Sequence, residues 1–413
     1  MKKLLLATTM LVTAGTYAAA DVSVSGDARM GVVNSYDKDT KDNVTTFSNR
    51  MRIKFSGSGT TDGGLSFGGS FRANDAADAK AGTAGSTFIS GAFGKVTFGD
   101  VDSGDNAAVG QLASVGYTGL GSGNSISYAA DAGGDNGLPG DMSSYSGARV
   151  LYTNTFGGVT LNVSSAQLTD GGASSYGIGG SYAVGALTVG VGYGIVDGGT
   201  SKGLNAYDTE DIPAVLASTT SGVTTEATPA SYHGYYPTRD LDTSVTDMSL
   251  SASYVVGATT IKGIYQSKTI ESTAEARTAV AYVARTFTAA TGATVTAATA
   301  LVRNHAAIDL SSTATSMGLS VVHKINAISV TAYGISTDVQ ADTDLGDDAT
   351  LSRYGVGVSY DLGGGASISG GWAGIDVQVP TAITTATTDG ALQKYTLATE
   401  TRNQFDLGVS LSF

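Results

Sequence analysis

The sequence predicts an all-β protein: a transmembrane antiparallel β-barrel of 16 strands, with 18 as the alternative count. Three observations lead there. Apolar and polar side chains alternate from Asp21 to the C-terminus, charged residues make up only 14% of the chain, and long and short connections follow one another in turn. Hydrophobic content is an ordinary 41%, yet no stretch after the N-terminus stays apolar over the 18 or so residues that a membrane helix requires. Five prolines against 57 glycines, with 20 Tyr and 11 Phe, fit strands and turns better than helices.

The first twenty residues stand apart. Lys2 and Lys3 precede the apolar run Leu4–Val12, and Ala18-Ala19-Ala20 supplies small residues for cleavage. Residues 1–20 read as a secretory signal peptide, leaving 21–413 as a single barrel domain. Loss of two lysines and no acids moves the formal charge from −13 to −15. An exported acidic chain argues against nucleic acid as a partner. Cysteine is absent, which removes disulfides and thiol chemistry.

From Asp21 onward the strands announce themselves by period two. "VSVSGDARMGVV" (22–33) sets Val22, Val24, Ala28, Met30 and Val32 against Ser23, Ser25, Asp27 and Arg29. "LSFGGSFRAN" (65–74) opposes Leu65, Phe67 and Phe71 to Ser66, Ser70 and Arg72. "VTLNVSS" (159–165), "LTVGVGYGI" (187–195), "MSLSASYVV" (248–256), "YGVGVSYDL" (354–362) and "FDLGVSLSF" (405–413) repeat the pattern. Short turns are expected at 58–63, 94, 157–158, 185–186, 257–259, 326–327 and 363–365. Longer polar stretches lie near 34–44, 76–85, 102–145, 168–175, 197–244, 270–315, 339–350 and 378–401. Pro139, Pro213, Pro229, Pro237 and Pro380 all fall in the long stretches, where proline costs no ladder hydrogen bond. Residues 275–304 are the ambiguous part and could supply two further strands. A closed barrel pairs every backbone group in lipid, and strict long–short alternation suits a membrane barrel better than a sandwich.

"SNRMRIKF" (48–55) is the most telling segment. Alternation puts Met51, Ile53 and Phe55 on the lipid face and Arg50, Arg52 and Lys54 on the lumen face. Arg29 and Arg72 on the adjoining strands share the polar face, so five cations converge on one sector of the inner wall.

"SGDARMGV" (25–32), "SGTTDGGLSFGGSF" (58–71), "FISGAFGKVTFGD" (88–100), "VGYTGL" (115–120) and "YGVGVSYDLGGGASISGG" (354–371) resemble the general porins of alphaproteobacteria, the Rhodobacter type. The motifs occur in family order, continuously to about residue 200 and again from about 315. The resemblance implies a homotrimer in the outer membrane, acting as a general diffusion channel for small hydrophilic solutes and ions, with no catalysis. It implies that the third long loop, 102–145, folds into the lumen and faces the wall with acids. The basic side carries over to Arg29, Arg50, Arg52 and Arg72, with Lys54 added by alternation. The acidic side carries over to Asp100, Asp102, Asp105, Asp131, Asp135 and Asp141. No acid stands between Asp105 and Asp131, so weak cation preference, or none, is expected. A calcium ion on that loop is the one cofactor the resemblance leaves open.

Other motifs read more plainly. His233, His305 and His323 are far apart and lack metal-ligand spacing. No GxSxG elbow is present, and "GLGSGN" (119–124) lacks the strand–helix setting of a dinucleotide site. "DTDLGDD" (342–348) and "DKDTKD" (37–42) read as solvated outer loops; divalent bridging to lipopolysaccharide is the sharper alternative. Phe405, Leu407, Val409, Leu411 and the terminal Phe413 form an apolar row resembling the signal read by the barrel-assembly machinery. Two rival functions are a substrate-selective porin for anions or oligosaccharides and an autotransporter or adhesin. The second would need a large passenger, whereas strand signals begin at Asp21.

Overall fold

Tight turns convert the alternating runs into hairpins. Gly157 and Gly158 adopt φ of +56° and +89°, the left-handed pair that matches the twist of two antiparallel strands. At 61–65, Thr61 N donates to Leu65 O and Gly64 N donates back to Thr61 O. The computed structural model describes residues 21–37, 40, 42–81, 84–131, 148–167, 174–202, 207–208, 219–220, 223–224, 234–235, 240–274, 277–288, 294–305, 308–341, 348–386 and 393–413. The expected signal segment 1–20, Asp135, Asp141 and most of 197–244 lie outside the described residues.

The chain forms two compact units. The first takes the described residues up to Gly198 together with Ser244–Ile270 and Ser311–Phe413; the second takes those of Gly199–Thr243 and Glu271–Leu310. The sheet of the first unit is a closed barrel of sixteen strands in sequence order. These are β1 (Asp21–Asp37), β2 (Asp42–Thr60), β3 (Ser66–Arg72), β4 (Ser86–Gly91), β5 (Gly94–Gly99), β6 (Arg149–Phe156), β7 (Val159–Gln167) and β8 (Ser174–Val184). β9 (Leu187–Lys202), β10 (Asp240–Val256), β11 (Thr259–Ala274), β12 (Ile308–Ile325), β13 (Ile328–Ala341), β14 (Ala349–Gly363), β15 (Ala366–Ala386) and β16 (Gln393–Ser412) complete it. β1 closes the ring by pairing with β2 on one side and β16 on the other, from Asp27↔Ser412 to Asn34↔Phe405. Phe413 adds the last rung: its N–H donates to Gly26 O and its carbonyl accepts from Gly26 N.

The residues that could have raised the count to 18 form a sheet of their own. Arg277–Thr288 pairs with Thr294–His305, and β11 and β12, the strands on either side in sequence, are neighbours in the barrel without it. The second unit also contains two-residue ladders, Tyr207–Asp208 with Gly234–Tyr235 and Thr219–Thr220 with Val223–Thr224.

Pro380 departs from expectation. The sequence puts it in a loop, but β15 runs through it to Ala386 and the ladder with β16 shifts register between Pro380 and Ala382. A bulge tolerates the missing N–H, so a proline can sit inside a strand there.

Large apolar side chains line the outer face: Met51, Tyr176, Ile178, Leu250, Met317, Leu319, Val356 and Val358 are all exposed. β3, β4 and β5 are only 7, 6 and 6 residues long. At about 3.3 Å per residue they cover roughly 20 Å before tilt, short of an apolar band about 25 Å tall. Phe55, Phe67, Phe71 and Phe98 stand exposed on this low side.

Candidate pore constriction

The basic sector is built by the pairing of β1, β2 and β3. Arg29 stands opposite Arg50, Asp27 opposite Arg52, Ser25 opposite Lys54, and Lys54 opposite Arg72, so all five cations share one face. Asp27 shares it too. Its carboxylate accepts from Arg50 Nη2 at 3.1 Å and Arg52 Nε at 3.0 Å. Arg72 has Asp75 at 3.9 Å, whereas Lys54 is exposed. Asp27 was legible on the polar face of β1, but alternation alone did not reveal that it grips both arginines. The sector therefore carries five cations and two acids.

The third loop lies inside the barrel as two antiparallel runs. A first short helix, α1 (Ala76–Ala81), follows β3; the outgoing run of the third loop begins with helix α2 (Gly104–Val109), and the returning run reaches Asp131. They are fastened to each other: Gln111 Nε2 donates to Ile126 O at 2.9 Å, Ile126 N donates to Gln111 Oε1 at 2.6 Å, and Tyr128 OH donates to Gly110 O at 2.6 Å. Val109, Leu112, Val115, Leu120, Ile126 and Tyr128 form a small core with Ile264, Tyr333, Ile335 and Ala373 of the wall. Those inward apolar wall residues break the simple apolar-out rule because the loop, not water, covers them.

Polar anchors hold the loop to the wall from β7 around to β1. Gly104 N donates to Ser164 Oγ at 2.8 Å, and Lys262 Nζ donates to Val109 O at 2.7 Å. Arg353 Nη1 donates to Ser125 O at 2.7 Å, and Lys268 Nζ to Ser127 Oγ at 2.9 Å. Buried Asp406 of β16 receives Thr118 N at 2.8 Å and Thr118 Oγ1 at 2.5 Å. At the tip, Arg29 lies over the Tyr117 ring, 6.0 Å from its centre, so the loop reaches the basic sector at that residue. Lys262, Lys268 and Arg353 thus serve as loop anchors, a role that period-two reading does not distinguish from a lumen-facing charge.

The predicted acids scatter. Asp100 and Asp102 are exposed. Although Asp102 reaches the surface, the protein packed around its carboxyl, then the nearby Asp131 carboxylate, raise it above its ordinary range, with Arg149 acting in opposition. Asp131 is engaged on all sides: it accepts from Ser103 N at 3.0 Å and Asn106 Nδ2 at 2.8 Å, and pairs with Arg149 at 2.9 Å. Asp105, expected to face the basic sector, instead turns to the wall of β8 and β9 and is wholly buried. The physical reason is the glycine row Gly177, Gly192 and Gly194, whose missing side chains leave the space it fills. Among the described residues no three acid or histidine side chains gather as metal ligands.

A closed barrel with an apolar outside, a charged inner sector and a folded loop lodged within defines a water-filled transmembrane channel. The comparisons with known proteins agree. The Gram-negative porin family matches residues 7–305, and the chain belongs to that family. A porin of Rhodobacter capsulatus is 32% identical over 369 residues, covering 86% of this chain and 95% of that one. A porin structure refined at 1.8 Å superposes with a TM-score of 0.59 at 30% identity, covering 95% of this chain and all of that one. An anion-selective porin from Comamonas acidovorans shares the fold, with a TM-score of 0.56 at 14% identity over 96% of this chain and 100% of that one. The protein is a general diffusion porin of the Gram-negative outer membrane.

Proposed function

We propose that the channel passes small hydrophilic solutes and ions passively, without catalysis, through a constriction between the third loop and the β1–β3 sector, with near-neutral or mildly anionic preference. One observation carries this reading: the loop is anchored to the β7–β16 wall, with its tip against Arg29, while its buried acid Asp105 faces away from the basic sector. Arg29, Arg50, Arg52, Lys54 and Arg72 form the basic side, tempered by Asp27 and Asp75. Asp100 and Asp102 supply the loop side, and Asp135 and Asp141, outside the described residues, belong to the same stretch of chain. A narrow site amplifies such an imbalance, because effective dielectric falls near protein walls.

The working unit in this reading is a homotrimer joined through the early strands. The short β3–β5 wall with its exposed phenylalanines supports it, since a second copy would cover a surface too low to span the apolar band alone. Export with a signal peptide cleaved after Ala20, insertion by the barrel-assembly machinery reading Phe413, and contact with lipopolysaccharide complete the reading. Calcium is not required for it.

The test combines liposome swelling with sugars of graded size and reversal potentials in a salt gradient. Passive diffusion predicts swelling rates that fall smoothly with solute size, and a reversal potential close to zero or slightly on the anion side. Saturable uptake of one sugar class, or strong cation selectivity, would overturn the proposal.

A further inference from the structure

Helix α2 begins with an acid that is out of reach of water. Asp105 is 0% exposed, and neither carboxylate oxygen makes a well-formed hydrogen bond. The Ser103 hydroxyl and the amides of Asp105 and Asn106 lie beside it. An isolated buried carboxylate is costly enough that such a group takes up a proton or finds a partner.

A second acid is within reach. Asp247 of β10 is 1% exposed and accepts from Ala129 N at 3.0 Å and Gln266 Nε2 at 2.8 Å. Both carboxylates crowd the point where a Gly194 Cβ would stand: Asp105 Oδ2 is 2.5 Å from it and Asp247 Oδ1 nearer still, so the two oxygens are at most twice that distance apart. Gly177 and Gly192 open the same space, each also lying against Asp105. Of the charged and titratable groups facing the pair, Asp131, Asp102 and Tyr128 come from the loop, and Lys268 and Arg149 come from the wall. Lys268 is bonded to Ser127 and Arg149 to Asp131. Strands β7, β8 and β9 present Ser164, Gly177, Gly192 and Gly194 to it.

We propose that Asp105 and Asp247 are positioning residues that hold one proton between them, and that this shared proton keeps α2 seated on the wall and the constriction at its working width. Two carboxylates in one dry space cannot both ionise cheaply, whereas one acid and one carboxylate form a strong charge-assisted hydrogen bond. Burial, with Asp131 adding to it, holds the Asp105 carboxyl above the ordinary carboxylate range. A raised value means the seating is fully present at low pH and is lost as pH climbs through it. The loop should therefore loosen towards alkaline pH, the opposite of acid-induced loosening. The inference rests on the constriction reading for its effect on current, but not for the loop's position.

The experiment uses the full-length protein with Ala107→Cys on the exposed side of α2, a single thiol in a chain without native cysteine. Thiol labelling rate and single-channel current are followed from about pH 5 to about pH 9, with and without Asp105→Asn. The amide of Asp105→Asn donates to Asp247 at every pH. The expected result is that labelling in the otherwise unaltered protein, relative to Asp105→Asn, rises several-fold across the range, and current rises with it. Asp247→Asn should flatten the profile in the same way and serves if Asp105→Asn does not fold. Identical profiles with and without Asp105→Asn, or no pH dependence at all, would overturn the proposal. Loosening by a chelator at about pH 5 would also overturn it, because a cation and not a proton would then be shared. Labelling that rises while current stays flat supports the shared proton and overturns the constriction reading.

Discussion

Asp27→Asn removes the only acid bonded to the Arg50–Arg52 pair among the described residues and leaves the shape of the site nearly unchanged. Asp27 holds Arg50 and Arg52 at 3.1 and 3.0 Å, and its side chain is 40% exposed, so its charge is felt in the lumen. Consider an ion passing one Debye length away, about 10 Å in 0.1 M salt. One unit of charge acts on it with about 0.4 kcal/mol at an effective dielectric of about 80, and with about 1.7 kcal/mol at about 20. Screening by a factor of about e reduces these to about 0.15 and 0.6 kcal/mol. Cations and anions shift in opposite directions, so the permeability ratio moves by twice that energy, about two- to eightfold towards anions. The asparagine keeps acceptor capacity for one arginine, which limits rearrangement. The assay is the reversal potential across a tenfold gradient of potassium chloride, repeated at lower salt, where the shift should grow. An unchanged reversal potential, or a shift towards cations, would mean that the β1–β2 face does not border the conducting path.

Other outcomes follow from the same geometry. Replacing Arg50 and Arg52 together with glutamine should shift the reversal potential towards cations, by about the square of the single-charge factor, since two positive charges go and Asp27 keeps its own. Gly194→Leu should expel α2, because any side chain there collides with the Asp105 and Asp247 carboxylates; overpacking of about 1–3 kcal/mol should appear as faster proteolysis of the loop and a larger, noisier conductance. Crosslinking and native mass measurement in mild detergent should give three subunits, and charged substitution at Phe71 or Phe98 should weaken them; a stable lone subunit would refute assembly through the early strands. N-terminal sequencing of outer-membrane material should begin at Asp21, and a retained Met1 would show the leader reading to be wrong.

Local chemistry was enough for the wall. Alternation at period two is a property of each strand by itself, so "SNRMRIKF" already assigned its cations and apolar residues to opposite faces, and the register of β1 with β2 and β3 brought Arg29, Arg50, Arg52, Lys54 and Arg72 together as expected. Turn glycines likewise act within four residues, which is why Gly157-Gly158 and the turn before Leu187 were legible. The ring of sixteen was less so. Arg277–His305 has strand composition, and only pairing partners decide whether such a run joins the barrel or forms its own sheet. Pro380 escapes a local reading for a related reason, since a bulge depends on the neighbouring strand.

The lumen itself was decided by contacts between residues far apart in the chain. Nothing near Asp105 indicates burial; that follows from Gly177, Gly192 and Gly194 on the opposing wall and from Asp247, more than a hundred residues away. Lys262, Lys268 and Arg353 look like lumen charges until the loop is seen to occupy their hydrogen bonds. Ile264, Tyr333 and Ile335 look misplaced on an inner wall until the loop's own apolar side covers them. Sequence determines which face a side chain takes, because that is fixed by backbone geometry over two residues. Whether that face then meets water, lipid or a folded-in loop is settled only when the ring closes and the third loop packs within it, because burial and charge pairing depend on what lies across the space.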